Sequence, residues 1–211
     1  MSIPAVPRLR GVFHQWALVA AMAAGVVLLA LARGALEMLA VWVYVIALSA
    51  MFGASALYHR FPWRSAVARA RARRVDHAAI FVFIAGTYTP FALLALGGWT
   101  QGIVLVTVWA GAALGIGLTL VWVEAPSWMR ALAYLAVGWV GVIAVPQLFA
   151  VGVASGVLLA VGGGLYTIGA VTYALQWPNP FPRTLGFHEV FHLLVVAAVA
   201  VQCIAVYFVV L

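Results

Sequence analysis

The chain alternates between long apolar stretches and short polar connections. Seven of the stretches are long enough to cross a bilayer, since about 30 Å of hydrocarbon takes roughly 20 apolar residues in a helix. They cover approximately residues 12–32, 38–58, 76–96, 102–123, 128–148, 152–175 and 186–209. Their apolar residues are continuous and do not alternate with a period of two, and backbone groups in lipid must pair internally. The pattern therefore predicts an all-α membrane protein, a bundle of seven transmembrane helices.

Turn-forming residues separate most of these stretches. Gly97-Gly98 follows the third stretch, Pro126 precedes the fifth, and a proline-rich run at 177–182 precedes the seventh. The boundary between the fifth and sixth stretches is the least marked. Because seven such helices use about 150 residues, the connections are too short for a second domain. We expect residues 1–211 to form a single transmembrane domain.

The composition supports lipid as the solvent of most of the chain. Of 211 residues, 67% are hydrophobic and 7% are charged, too few charges to cover a water-soluble domain. The first stretch follows arginines, as a secretory signal would, but its apolar core is too long for one. The single cysteine, Cys203, excludes an intrachain disulfide and a zinc site built from several cysteines.

The positions of the basic residues predict the orientation of the bundle. All eleven are arginines, and a cytoplasmic N-terminus places ten of them on the cytoplasmic side and Arg33 outside. This distribution follows the positive-inside rule, so we expect a cytoplasmic N-terminus in a multi-pass protein of the cell membrane. The Arg60 to Arg74 connection joins two spans, where arginines ordinarily contact anionic lipid head groups. We therefore predict those head groups as partners there, and no nucleic acid.

Ionisable residues near the spans are few, and burying one without compensation costs several kcal/mol. On the predicted topology His59 ends the second helix and Asp76 begins the third, whereas His188 and His192 lie in the first two turns of the seventh. These helix ends all face the cytoplasm. A bundle can therefore bring the four side chains together at one depth.

Three of these residues are suited to one metal ion. His188 and His192 are four positions apart, so their rings share one helix face, and His59 adds the third nitrogen donor of a catalytic zinc site. Imidazole donors without a cysteine pair favour zinc. Asp76 would orient or deprotonate the zinc-bound water, and Ser55, one turn before His59, would hydrogen-bond that water or a substrate carbonyl. Alternatively, Asp76 is the fourth ligand of a structural zinc.

Residues 188–192 also fit the H-E-x-x-H motif of zinc metalloproteases, in which the glutamate is the general base. Glu189 is favoured in an early helical turn by the helix dipole whatever its chemistry. An intramembrane metalloprotease is therefore an open alternative. His14 and His77 are more typical of interfacial histidines that water or backbone satisfies, and His77 is expected to face a different neighbour from Asp76.

Longer motifs occur in a fixed order over most of the chain. They read Ser-Ala-Leu-Tyr-His at 55–59, Asp-His-Ala-Ala-Ile-Phe at 76–81, Ala-Gly-Thr-Tyr-Thr-Pro-Phe at 85–91, Pro-Asn-Pro at 178–180 and His-Glu-Val-Phe-His at 188–192. Together they resemble the hemolysin III family, the bacterial branch of the progestin and adipoQ receptor (PAQR) membrane proteins. The location that this resemblance implies is the bacterial plasma membrane.

The resemblance implies seven helices, an inside N-terminus and a zinc ion held near the cytoplasmic face by His59, His188 and His192. It also implies that Asp76 and Ser55 contact the zinc-bound water. More distantly, the S-x-x-x-H, Asp and H-x-x-x-H pattern is similar to that of alkaline ceramidases, which hydrolyse a lipid amide.

These observations lead to three hypotheses about function. The first is a zinc-dependent hydrolase of a lipid amide or ester, with a membrane lipid as its substrate or ligand. The second is a receptor-like sensor with a structural zinc. The third is the cytolytic pore that the family name suggests, although no span carries the regular polar stripe that a water path would need.

Overall fold

A computed structural model describes residues 7–122 and 124–211. Its described part contains eight α-helices and one 3₁₀ segment: α1 (Val12–Leu31), α2 (Ala35–Arg60), α3 (Ala66–Ala95), α4 (Gly98–Val121), α5 (Ser127–Gly138), the 3₁₀ segment (Trp139–Ala144), α6 (Val145–Val151), α7 (Val153–Leu175) and α8 (Phe187–Val210). One isolated antiparallel bridge joins Phe181 and Leu185, and no strand occurs within the described residues. The prediction of an all-α fold is confirmed.

Seven helical spans within the described residues are long and apolar enough to cross a membrane. The fifth is composite, since α5, the 3₁₀ segment and α6 together make up Ser127–Ala150. The predicted seven-helix bundle is confirmed, and the predicted boundaries are close at every span except the start of the third. Residue 123, the last of the fourth predicted stretch, lies outside the described residues.

The third helix begins at Ala66, well before the predicted start near residue 76. Ser65 caps it, because its side chain accepts a hydrogen bond from the Ala68 backbone N–H at 3.3 Å. Alanine and arginine are both good helix formers. The arginine-rich connection therefore continues as helix beyond the apolar stretch, which marks only the part that lipid can surround.

The fifth span is irregular at its centre. The α-helix gives way to a 3₁₀ segment at Trp139, and α6 carries Pro146 in its first turn, where a missing N–H costs no hydrogen bond. Gly152, with extended backbone, separates α6 from α7. The weakly marked boundary between the fifth and sixth stretches thus corresponds to a short break in the chain.

Helix α3 is the most buried span and lies at the centre of the bundle. It packs against α2, α4 and α8, while α8 also contacts α7 and α1. A Cβ at Gly86 would overlap Ala47 of α2, and one at Gly115 of α4 would overlap the Phe81 ring, so these glycines permit the close packing. The starts of α1, α3 and α8 and the end of α2 lie together at what we call the arginine-rich end.

Candidate metal centre and active site

Three histidines from two helices converge at the arginine-rich end. His59 lies in the last turn of α2, and His188 and His192 lie in the first two turns of α8. Each offers a ring nitrogen, and the three nitrogens lie within 4.8 Å of one another. The Nε2 atoms of His59 and His188 are 3.2 Å apart. We call these three residues the histidine cluster.

The histidine cluster fits a single zinc ion. Zinc–nitrogen distances of about 2.0 to 2.1 Å in a tetrahedron place two ligand nitrogens about 3.3 Å apart, close to the observed 3.2 Å. His192 is buried, and its Nδ1 has no hydrogen-bond partner within the described residues. Leaving such a group unpaired is costly. The ligand roles stay a prediction, but the donor chemistry and spacing suit the ion.

Asp76 and Ser55 lie beside the histidine cluster. Asp76 Oδ2 is 3.7 Å from His59 Nε2, and the Ser55 hydroxyl adjoins the Asp76 carboxyl group. Both side chains are buried. Helices α2, α3 and α8 therefore each contribute to one polar site, which contains all five side chains that the sequence singled out. The catalytic roles of Asp76 and Ser55 stay a prediction.

His14 also belongs to the site, in contrast to the interfacial position expected for it. It is buried, its Nδ1 is 2.8 Å from Ser55 Oγ, and its ring stacks on His192 with centroids 3.7 Å apart and planes at 8°. Its location near the start of α1, at the common depth, was the available sequence signal. His77 is buried as well, in contrast to the interfacial position expected for it; it lines the same cavity as Asp76 and also borders a smaller pocket on the α4 and α5 side of the bundle.

An ion pair ties the segment before α1 to the start of α8. Arg10 Nε is 2.5 Å from Glu189 Oε1, and Glu189 Oε2 accepts a hydrogen bond from the Gly186 N–H at 2.8 Å. Glu189 is fully buried. Both carboxylate oxygens are therefore engaged at the helix start, which leaves neither free for the general-base role in H-E-x-x-H.

The segment before α1 also covers His59. Gly11 has φ of 77°, a left-handed conformation that favours glycine. A Cβ at this position would lie 2.6 Å from His59 Cβ. Backbone bonds from Arg8 N to Arg183 O (3.1 Å) and from Leu9 N to Thr184 O (3.2 Å) hold the segment against the connection before α8. The arginine-rich end is thus closed over the histidine cluster.

A cavity of about 570 Å³ extends from this site into the bundle. Asp76, His188 and His192 line its polar end, and most other lining side chains are apolar. Its volume lies within the roughly 300–1,000 Å³ typical of small-molecule sites. The cavity is large enough for part of a lipid and too apolar to favour a strongly hydrated substrate.

Residues of the fifth span and of α7 line one side of the cavity. Trp139, Val142 and Ile168 line the cavity and are also more than half exposed outside it. Gly163 and Gly164 line it too, and a Cβ on either would meet nothing within 4 Å. These elements belong to apolar spans, so an opening on this side would lead into lipid.

Comparisons with known proteins agree with the motifs and the fold. A family model described as Haemolysin-III related matches residues 5–203. The chain is 38% identical to "Hemolysin-3 homolog" of Bacillus subtilis (strain 168) over 136 residues, 64% of this chain, and 34% identical to "Hemolysin-3" of Bacillus cereus over 139 residues, 65% of it. These alignments span 61% and 60% of the two relatives. "Monocyte to macrophage differentiation factor" of Homo sapiens is 26% identical over 202 residues, 92% of this chain and 80% of the relative.

Proposed function

We propose that the chain, which belongs to the Haemolysin-III related family, is a zinc-dependent membrane hydrolase of a lipid amide or ester. Its family and its seven spans make it a multi-pass protein of the cell membrane. The observation that supports the hydrolase most strongly is the joint position of the histidine cluster and Asp76 at the inner end of an apolar cavity. A cavity with a mouth toward lipid suits a substrate that leaves the bilayer sideways.

The orientation is part of this proposal. Ten of eleven arginines lie on the side of the N-terminus, so the positive-inside rule places the arginine-rich end in the cytoplasm. The histidine cluster would then lie near the inner leaflet. The substrate would be a lipid whose scissile bond reaches that depth.

In the proposed hydrolase His59, His188 and His192 hold the metal ion. When bound, zinc would supply a Lewis acid that polarises a carbonyl group and promotes the ionisation of water. The protein's own contribution is to hold these donors in place. Stacking of His14 on His192 serves that purpose.

Asp76 is the group positioned to accept the proton of the attacking water and to pass it to the leaving group. Hydrolysis adds the oxygen of a water molecule to the acyl carbon and breaks the bond from that carbon to nitrogen or oxygen. The Asp76 carboxylate accepts the proton from the attacking water and returns it to the leaving group. Ser55 hydrogen-bonds the acyl carbonyl or the water, and His14, 2.8 Å from Ser55 Oγ, fixes the hydroxyl in place.

One observation favours the receptor-like sensor as a second candidate. Asp76 Oδ2 is close enough to His59, at 3.7 Å, to become a fourth metal ligand after a small movement. Four protein ligands would close the coordination sphere, as in structural zinc sites. The metalloprotease has less support, because the Glu189 carboxylate is engaged by Arg10 and Gly186.

Substitution of Asp76 by asparagine separates the two candidates. We expect Asp76→Asn to keep its zinc, measured by mass spectrometry of the purified protein, and to hydrolyse lipid amides or esters in mixed micelles about 10²- to 10⁴-fold more slowly. Glu124→Gln is the control, because Glu124 is an exposed acid at the same end that pairs with Arg73. Loss of both zinc and fold in Asp76→Asn would favour the structural site, and absence of turnover in the wild type would remove the hydrolase.

A further inference from the structure

The end of the cavity away from the histidine cluster is also polar. Tyr166 of α7 and Gln202 of α8 line it there. Gln202 is 7% exposed, and neither its Oε1 nor the Tyr166 hydroxyl has a hydrogen-bond partner within the described residues. Buried polar groups in proteins are nearly always paired. A group that occupies the cavity can supply the partner that each of them lacks.

The two groups face the same part of the cavity. A Cβ at Gly162 would lie 2.8 Å from Gln202 Cγ, so Gln202 is level with Gly162. Tyr166 is one turn further along α7 on the same face as Gly162. Because helical side chains lean toward the N-terminus of their helix, the Tyr166 ring leans back toward the level of Gln202. The two groups therefore lie at about the same level of the cavity.

The distance from the histidine cluster gives the spacing of the two polar ends. Gln202 follows His192 by ten positions on α8, which corresponds to about 15 Å along the helix axis. Val195, Ile84 and Phe83 line the cavity between these levels. The cavity thus presents a polar end, an apolar middle and a second polar end.

We infer that Tyr166 and Gln202 form a subsite for a hydroxyl group carried along a lipid chain, about 15 Å from the group that the histidine cluster binds. A hydroxyl accepts one hydrogen bond and donates another, so one such group satisfies both the Tyr166 hydroxyl and Gln202 Oε1. A plain acyl chain leaves both unpaired. The inference rests on the proposed function in taking a lipid chain as the occupant, but it requires no catalysis.

A pair of fatty acids that differ by one hydroxyl tests the subsite. An extended chain advances about 1.2 Å per bond, so a hydroxyl near the twelfth carbon reaches about 15 Å. The affinities of the purified protein for 12-hydroxyoctadecanoate and octadecanoate are measured by displacement of a fluorescent fatty acid. We expect the hydroxylated acid to bind about five- to tenfold more tightly, and 2-hydroxyoctadecanoate, whose hydroxyl stays near the histidine cluster, to show no such gain.

Two variants identify the residues responsible. Tyr166→Phe and Gln202→Leu are expected to reduce the preference for the 12-hydroxyl to less than about twofold, while octadecanoate binds at least as tightly as before because the variants remove the groups that it leaves unpaired. Tyr207→Phe is the control, since Tyr207 is a tyrosine of α8, the helix that carries Gln202, and lies outside the cavity lining. Its preference should equal that of the wild type. Octadecanoate binding also reports whether each variant is folded.

The outcomes separate the subsite from the hydrolase. Equal affinity of the two acids for the wild type, or a preference that survives in both Tyr166→Phe and Gln202→Leu, overturns the subsite and leaves the two groups to water. Failure of both acids to displace the fluorescent fatty acid also overturns the subsite. A preference for the 12-hydroxyl acid in a protein without zinc or turnover supports the subsite and contradicts the hydrolase. Zinc-dependent turnover without that preference supports the hydrolase and contradicts the subsite.

Discussion

The two sides of the cavity are built differently. One side, which we call the packed wall, lies at the arginine-rich end: His14, Ser55, Asp76 and His192 line the cavity there, and Glu189 belongs to the same wall without lining it, all five of them buried. The other, which we call the open wall, comprises residues 139–142 of the fifth span and 163–168 of α7. It contains a 3₁₀ segment, glycines with open space beside them and side chains that face the exterior.

The difference indicates that the two walls have different roles. Polar groups that must act together need contacts that fix their rotamers, and helices packed on several sides provide those contacts. A route for a lipid needs the opposite, because dense packing would close it. The proposed hydrolase thus places its chemistry in the packed wall and its lipid access in the open wall. This assignment predicts that substitutions in the two walls have separable effects.

Loss of a metal ligand from the packed wall is expected to have the largest effect. The wild-type protein should carry about one zinc per chain, and His188→Ala or His192→Ala should lower that content at least tenfold, because a three-ligand site does not survive the loss of one donor. Metal analysis of the purified proteins measures it. His77→Ala is the control, as His77 lies next to Asp76 but outside the histidine cluster. Undiminished zinc in both ligand variants would contradict the metal site.

The ion pair of the packed wall is the next strongest test. Glu189→Gln leaves Arg10 opposite a neutral group, and breaking a buried pair costs about 3 kcal/mol, at the lower end of the usual range because the Arg10 side chain is 24% exposed. For a chain of this size the melting temperature in detergent should fall by roughly 6 °C or more. Thermal unfolding followed by circular dichroism gives the measurement.

Glu37 provides a matched comparison for Glu189. Both follow a glycine N-cap and accept its backbone N–H at the third helical position, but Glu37 is less buried and its side chain bonds backbone groups of Arg33 and Gly34. Glu37→Gln should therefore cost only about 0.5–1 kcal/mol. Equal destabilisation by the two substitutions would mean that the cap alone matters and that Arg10 does not anchor the packed wall.

The sequence predicts the depth of the packed wall better than its detailed contacts. Apolar stretches fix where each helix meets the membrane surface, which is why His59, Asp76 and His188 can be placed at one level from the pattern alone. They do not fix the rotation of a helix about its axis. The sequence therefore does not assign His14 to the site, because a modest rotation of α1 decides whether its ring faces lipid or stacks on His192.

The open wall is harder to predict for a different reason. A run of apolar residues looks the same whether it packs, faces lipid or borders an empty space. Gly162 is close to Gln202, whereas its neighbours Gly163 and Gly164 face open space, and no local signal distinguishes the three. The 3₁₀ segment is equally hard to predict from the sequence, since Trp139–Ala144 is as apolar as the helices beside it. Cavities arise from contacts between distant segments, which hydropathy does not describe.

A bulky side chain at the cavity mouth tests the open wall directly. Gly164→Leu should slow turnover of long-chain substrates about tenfold without changing zinc content, because the added side chain occupies the route and touches none of the metal donors. Gly117→Leu on α4 is the control, since a Cβ there also meets open space but lies outside the cavity lining. Lipid hydrolysis and zinc are measured for both. Lower zinc in Gly164→Leu would show that the two walls are not separable.

The smallest expected effect concerns arginines that lie outside both walls. Arg64, Arg69 and Arg71 are exposed around the start of α3, and each arginine near a bilayer surface contributes about 1 kcal/mol of attraction to anionic lipid. Replacing all three by glutamine should lower the enrichment of anionic over zwitterionic lipid around the purified protein severalfold, measured by mass spectrometry of co-purified lipid.

The zinc content of the triple variant should not change. High salt should weaken the enrichment around the wild-type protein in the same way, because it screens exposed charges. Arg33→Gln, at the opposite end of the bundle, should leave the enrichment intact. If Arg33→Gln lowered it as much as the triple substitution, the arginine-rich end would have no special affinity for anionic head groups, and the bias of arginines would serve topology alone.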